Sequence, residues 1–162
     1  MISTLIFDLD GLLADTEKLH RRAYQEVFAG VGLSLPDEHY DQHWIRDGKG
    51  IDEYIFEHHL GIDPSEIRPR KAQRYEELVR SCAEAMPGAA SALASLREFR
   101  MTLATSSYRD AALAVLNALG IQGFFEHIAT KESAGRMKPF PDIFLGAASA
   151  TGVSPRECIV IE

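Results

Sequence analysis

From Pro87 onward the chain alternates short apolar runs with helical patterns, and this alternation constrains the fold more than any other feature. Met101-Thr102-Leu103-Ala104-Thr105, His127-Ile128-Ala129 and Cys158-Ile159-Val160-Ile161 read as strands. An alanine-rich helix, Ala89 to Phe99, precedes the first of them. Ala112, Val115, Leu116 and Leu119 mark one helical face closed by Gly120, and a further helix runs from about Pro141 to Thr151. Strands alternating with helices of about 10–15 residues specify a parallel sheet with helices on both faces. One more strand opens the chain: Thr4-Leu5-Ile6-Phe7, bounded by the turn-prone Asp8-Leu9-Asp10-Gly11. Between residues 33 and 86 no strand is convincing. Thr16 reads as the N-cap of a helix carrying Leu19, Ala23, Val27 and Phe28, ended by Gly30 and Gly32. Helical signals recur from Ile51 to Leu60 and after Pro64, with Glu66/Arg70 and Glu76/Arg80 spaced as helix-surface pairs. The expected fold class is α/β: a core of residues 1–15 and 88–162, with an all-helical insertion, 16–87, after the first strand.

Composition narrows the function classes. The 17 Lys and Arg residues stand against 24 Asp and Glu, a formal charge of −7 with no basic tract. That balance disfavours nucleic acid or an anionic membrane as partner. Any phosphate must be handled by a few local cations or a metal ion. Cys82 and Cys158 are too few for a disulfide scaffold and lack zinc-knuckle spacing, so free thiols in a reducing cytosol are expected. The N-terminal apolar run is broken by Asp8, unlike a signal peptide, and no apolar stretch reaches membrane-spanning length. A soluble, cytoplasmic protein is the expectation.

In open parallel sheets, ligands bind beyond the carboxyl ends of the strands. Those ends deliver Asp8 and Asp10, Thr105 and Ser106, and Glu162, with Lys138 in a loop of the same half. Asp10-Gly11 alone is an ordinary turn signal. Two carboxylates at one buried strand end, however, repel unless a cation or a shared proton intervenes. Oxygen-only ligands point to magnesium, which takes one or two carboxylates plus waters and phosphate. Thr105 and Ser106 either cap the helix that follows or, with its free N–H groups, hold an anion. Lys138 precedes Pro139, which favours an extended backbone there. Two acids, a hydroxyl and a lysine in this order are the parts of phosphoryl transfer through an aspartyl phosphate.

At these residues the chain resembles the haloacid dehalogenase superfamily, in its phosphatase and β-phosphoglucomutase-like branch. The run Phe7-Asp8-Leu9-Asp10-Gly11-Leu12-Leu13-Ala14-Asp15-Thr16-Glu17 is similar to its opening motif and Leu103-Ala104-Thr105-Ser106-Ser107 to its second. Lys138-Pro139-Phe140-Pro141-Asp142 is similar to the third, and Cys158-Ile159-Val160-Ile161-Glu162 to the start of the fourth. The resemblance implies a Rossmann-like core with a helical cap domain. Asp8 is then the nucleophile and Asp10 the acid/base. Thr105 and the Ser106 N–H hold the phosphoryl group, and Lys138 offsets charge. Asp8, the Asp10 carbonyl and Glu162 are the implied Mg²⁺ ligands. Asp10 argues against dehalogenation, because halide leaves without a proton. His20 either faces the site or is a plain surface histidine, and Lys49, Arg46 and Arg109 are candidate substrate cations. His39/His43 and His58/His59 read as solvated cap residues rather than metal ligands.

The expected activity is Mg²⁺-dependent hydrolysis of small phosphorylated metabolites. A sugar-phosphate mutase is the alternative. The related mutases carry a cap arginine three residues after a glycine, where alignment on Gly48 puts Ile51, although Lys49 is a substitute cation. A phospho-accepting signalling module predicts its acceptor aspartate on a middle strand and no long insertion. The family's fourth motif continues with an aspartate that completes the magnesium site. A chain ending at Glu162 is therefore expected to be truncated, weak in Mg²⁺ binding and prone to self-associate through its last strand, and a catalytically incomplete fragment of such an enzyme is a further alternative.

Overall fold

A computed structural model describes all 162 residues. They divide into two compact units, Met1–Thr16 with Cys82–Glu162, and Glu17–Ser81. The division falls a few residues away from the boundaries read in the sequence. Residues 82–86 join the first unit because they pair with the loop after its first strand: Ala14 bridges Ala85, the Met86 N–H donates to the Leu13 carbonyl at 3.0 Å, and the Asp15 N–H donates to the Glu84 carbonyl at 2.9 Å.

The first unit is built on four parallel strands, β1 (Thr4–Phe7), β2 (Arg100–Ala104), β3 (His127–Ala129) and β4 (Cys158–Ile161), in the order β3-β2-β1-β4. All four residues of β1 are buried, as a strand between two neighbours and two covered faces requires. Helices α5 (Ala89–Ser95), α6 (Arg109–Ala118) and α7 (Asp142–Ala150) make the crossovers. The chain steps from β1 outward to β3 and then returns to the far side of β1. Right-handed crossovers therefore send α5 and α6 to one face and α7 to the other. On the α7 face, Ile143, Ala147 and Ala148 cluster with Ile6, Ala104 and Ala129, small residues that let helix and sheet approach closely. β4 is an outer strand, and its Ile159 and Val160 remain 45% and 40% exposed.

Leu103 tests this packing. It is fully buried in β2, in register with Phe7 and Ile128. Leu103→Ala is expected to cost about 2–5 kcal/mol, because rigid strands on both sides cannot collapse into the space. A thermal or denaturant midpoint unchanged by the substitution would contradict the packing.

The second unit is all helical: α1 (Glu17–Ala29), α2 (Asp37–Tyr40), a π-helical turn over Asp41–Arg46, α3 (Ile51–Glu57) and α4 (Pro64–Cys82), whose last residue joins the other unit. Phe28, Leu35, Tyr40, Ile51, Tyr54, Ile55 and Ile67 form its core. The helix and π turn over 37–46 were not legible as such, though Pro36 followed by Asp37 and Glu38 is a start signal. They correct one reading. His43 is buried rather than solvated, with Nε2 2.8 Å from the Gly50 carbonyl and Nδ1 3.6 Å from Glu57. His39, His58 and His59 are exposed as expected, the rings of His39 and His58 stacked at 5.3 Å. No helix is long and apolar enough to cross a membrane.

Candidate active site

β1 and β4 flank the point where the strand order reverses, and the groups expected from the sequence gather at their carboxyl ends. The Asp8 N–H donates to the Ile161 carbonyl at 3.0 Å, which carries the ladder one residue past β1. Leu9 is then buried, and its carbonyl collects the N–H groups of Leu12, Leu13 and Ala14 at 3.0–3.4 Å, forming a tight loop. Gly11 supplies the positive φ of +80° that this loop needs. With Leu9 anchored inward, Asp8 and Asp10 are carried by alternate residues and share the other side.

The two acids are held by different means. Lys138 Nζ lies 2.9 Å from Asp8 Oδ1 and 2.7 Å from Glu162 Oε1, so one ammonium links the ends of β1 and β4. The Lys138 side chain, itself four-fifths covered, packs its cation 4.8 Å from the Phe144 ring of α7. The Lys138-Pro139 peptide is cis. Burial pushes the Asp8 carboxyl above its ordinary range. Lys138 and the Leu9 N–H pull it back, and the nearby Asp10 adds the smallest upward push. The repulsion anticipated between the two aspartates is thus mostly relieved by their separate partners.

Asp10 is gripped by hydroxyls. Thr16 Oγ1 donates to its Oδ1 at 2.6 Å, while Thr105 Oγ1 and Ser107 Oγ donate to its Oδ2 at 3.1 and 2.8 Å. Thr105 is fully buried. Its N–H donates to the Ala129 carbonyl at 3.1 Å, and its Oγ1 also accepts the Ser107 N–H at 3.0 Å. Neither Thr16 nor Ser107 was assigned to the site from the sequence. Thr16 read as a helix cap, and Ser107 was one more hydroxyl in a Thr-Ser-Ser run. Ser106 is exposed. The α6 terminus does not offer all its N–H groups to an anion, because the Arg109 N–H already donates to Glu132 Oε1 and Oε2 at 2.9 and 3.2 Å.

The remaining candidates lie elsewhere. Arg109 lines an open recess with Gln122, Gly123, Phe125 and Ile128 beside β3. In the helical unit, His20 stacks on Tyr75 with centroids 4.0 Å apart, and its Nδ1 lies 2.6 Å from Lys71 Nζ. An ammonium donating there leaves the ring proton on Nε2. Lys49 Nζ meets Glu57 at 2.7 Å and Asp47 at 3.9 Å, and Arg46 is exposed.

No three acidic, histidine or cysteine side chains converge as a metal cage. The donors at the strand ends are nonetheless all oxygen, which suits Mg²⁺, an ion that needs only one or two carboxylates. The Asp8 carboxylate and the Asp10 carbonyl fit that requirement. Glu162 stands beside them, paired with Lys138 and half exposed.

Comparison with known proteins agrees with this geometry. The model of haloacid dehalogenase-like hydrolases matches residues 2–162. Protein CbbY of Rhodobacter capsulatus is 33% identical over 99% of this chain and 77% of its own length. The fructose-1-phosphate phosphatase YqaB of Escherichia coli is 30% identical over 98% of this chain and 85% of its own. Among solved structures, CbbY from Rhodobacter sphaeroides in complex with phosphate superposes with a TM-score of 0.81 at 29% identity, covering 99% of this chain and 77% of that one. With the acids, hydroxyls and lysine of all four motifs grouped around the ends of β1, β2 and β4, the chain belongs to the haloacid dehalogenase-like hydrolases.

Proposed function

We propose that this chain hydrolyses phosphate monoesters of small metabolites, sugar phosphates foremost, through an aspartyl phosphate on Asp8. The observation that carries this reading is the pairing of Asp8, held by Lys138, with Asp10, held by three hydroxyls, at one end of the sheet. An Asp8 carboxylate oxygen attacks phosphorus, and the bond from phosphorus to the ester oxygen breaks. Asp10 gives that leaving oxygen a proton. Asp10 then takes a proton from water, which attacks the same phosphorus, frees Asp8 and releases orthophosphate. The Ser106 N–H holds a phosphoryl oxygen and Lys138 offsets charge between nucleophile and phosphate, while the buried Thr105 hydroxyl, whose one proton goes to Asp10, positions that acid. Asp8, the Asp10 carbonyl and Glu162 would hold Mg²⁺, which when bound supplies further neutralisation of the phosphoryl charge.

Hydrolysis is preferred to mutase chemistry on two observations. Ile51, where a mutase arginine would stand, is buried at the start of α3, and Lys49 is engaged by Glu57. The relatives support the substrate class, one being named a fructose-1-phosphate phosphatase and another solved with phosphate. The test is release of orthophosphate from a panel of sugar monophosphates, with Mg²⁺ and with a chelator. Turnover without added bisphosphate that the chelator abolishes is the expected result. No release from any member of the panel in Mg²⁺ would overturn the reading.

A further inference from the structure

Helix α6 begins without a cap of its own. Its N-cap residue, Tyr108, has an extended backbone and makes no side-chain capping bond. The first N–H, that of Arg109, is met instead by Glu132, a residue 23 positions away in the turn after β3. The neighbouring contacts follow the same course. The Lys131 N–H donates to the Ser107 carbonyl at 3.0 Å, and Lys131 Nζ lies 4.8 Å from the centre of the Tyr108 ring. Two consecutive residues of one loop thus tie down three consecutive residues of another.

The bracing turn, Lys131–Ser133, is itself well set. Thr130 Oγ1 donates to Glu132 Oε2 at 2.7 Å, the Thr130 N–H donates to Ser133 Oγ at 3.0 Å, and Ser133 Oγ donates to the Thr130 carbonyl at 2.8 Å. These bonds fix where the Glu132 carboxylate points. The loop it braces carries Ser107, whose Oγ grips Asp10 and whose N–H fixes the Thr105 hydroxyl.

We propose that Glu132 is a positioning residue for the acid/base: by holding the Arg109 N–H it sets the 105–109 loop so that Ser107 and Thr105 orient Asp10. The proposal rests on the phosphatase reading above. Glu132 touches neither acid, and it acts through the backbone it holds. Accepting bonds from the Arg109 N–H and the Thr130 hydroxyl keeps its carboxyl below the ordinary range, so it remains a charged acceptor across the working pH of such an enzyme.

The experiment is single-turnover measurement of the first step, formation of the aspartyl phosphate, beside steady-state kinetics, for Glu132→Ala, Glu132→Gln, Ser107→Ala and the double variant. Each is assayed on a sugar phosphate and on an aryl phosphate whose leaving group needs no proton. Because a shift of about 1 Å at an active site costs up to roughly 10²-fold, Glu132→Ala is expected to lower kcat on the sugar phosphate by roughly tenfold, with KM little changed. In the first step the aryl ester should lose less, and Glu132→Gln, which still offers an acceptor oxygen, should recover most of the rate. The effects of Glu132→Ala and Ser107→Ala should not multiply, since they act in series. Equal first-step losses on both esters, or losses that multiply, would overturn the proposal, as would a wild-type kcat in Glu132→Ala. Amide exchange at Arg109 gives a readout independent of turnover. It should accelerate in Glu132→Ala by more than the loss of a helix cap changes global stability, and unaltered protection would equally refute the brace. Failure of the wild type to release phosphate would instead count against the phosphatase reading, leaving the exchange result to decide the brace.

Discussion

Asp8→Asn is expected to remove turnover, by roughly 10³-fold or more, while leaving the fold at least as stable as the parent at neutral pH. The replacement keeps the shape and an acceptor oxygen for Lys138 and the Leu9 N–H, but an amide oxygen does not attack phosphorus usefully. Lys138 is not orphaned, because Glu162 still receives it at 2.7 Å. The pH dependence follows from the raised carboxyl of Asp8. A carboxyl whose folded pKa lies above its unfolded value favours folding when protonated, and that contribution is lost as pH rises through the folded pKa. Compared with Asp8→Asn, the parent should therefore lose stability from just above the ordinary aspartate range, near 3.8, up to the raised value. Its activity should rise with pH through the acid range, because the nucleophile must be ionised, and bound Mg²⁺ should shift that rise to lower pH than the stability change. Thermal melts of both proteins from acid to neutral pH, beside the parent's pH–rate profile, check both halves. More than a few per cent residual activity in Asp8→Asn, on the order of what a nucleophile's loss never leaves, would remove Asp8 from its role.

Asp10→Asn is expected to slow ordinary phosphate esters by roughly 10²–10⁴-fold, the contribution of a positioned proton carrier. Thr16, Thr105 and Ser107 all donate to the carboxylate in the parent, and hydroxyls can rotate to accept from an amide, so the loop should survive. What is lost is the ability to give and take a proton. In single-turnover measurements an aryl phosphate should form the Asp8 intermediate with a smaller loss than a sugar phosphate, since its leaving oxygen needs little protonation. The second step, attack by water, should slow for both, so the intermediate should accumulate with the aryl ester. Equal losses in the first step for the two esters would argue that Asp10 serves only to hold the loop.

The elements that repeat at short range were legible in the sequence. β1, β2, β3 and β4, the ends of α1 at Gly30 and of α6 at Gly120, and Asp8, Asp10, Thr105 and Lys138 all follow from local patterns and motifs. Their signals lie within one turn or one strand, where backbone geometry sets the period. Four things lay beyond that range. Two of the three hydroxyls on Asp10 come from residues 95 and 97 positions away, and meet it only because β2 lies beside β1. His43 is buried because the π turn carries it over Gly50 and Glu57, a backbone path that no periodicity predicts. Lys138 answers two carboxylates because β4 returns to the far side of β1, and Glu132 caps a helix it does not belong to because β3 lies beside β2. A strand's own residues determine that it is a strand and which of its faces are apolar. Which strand lies next to it is decided by the order that buries all those faces at once, and that order assembles the site.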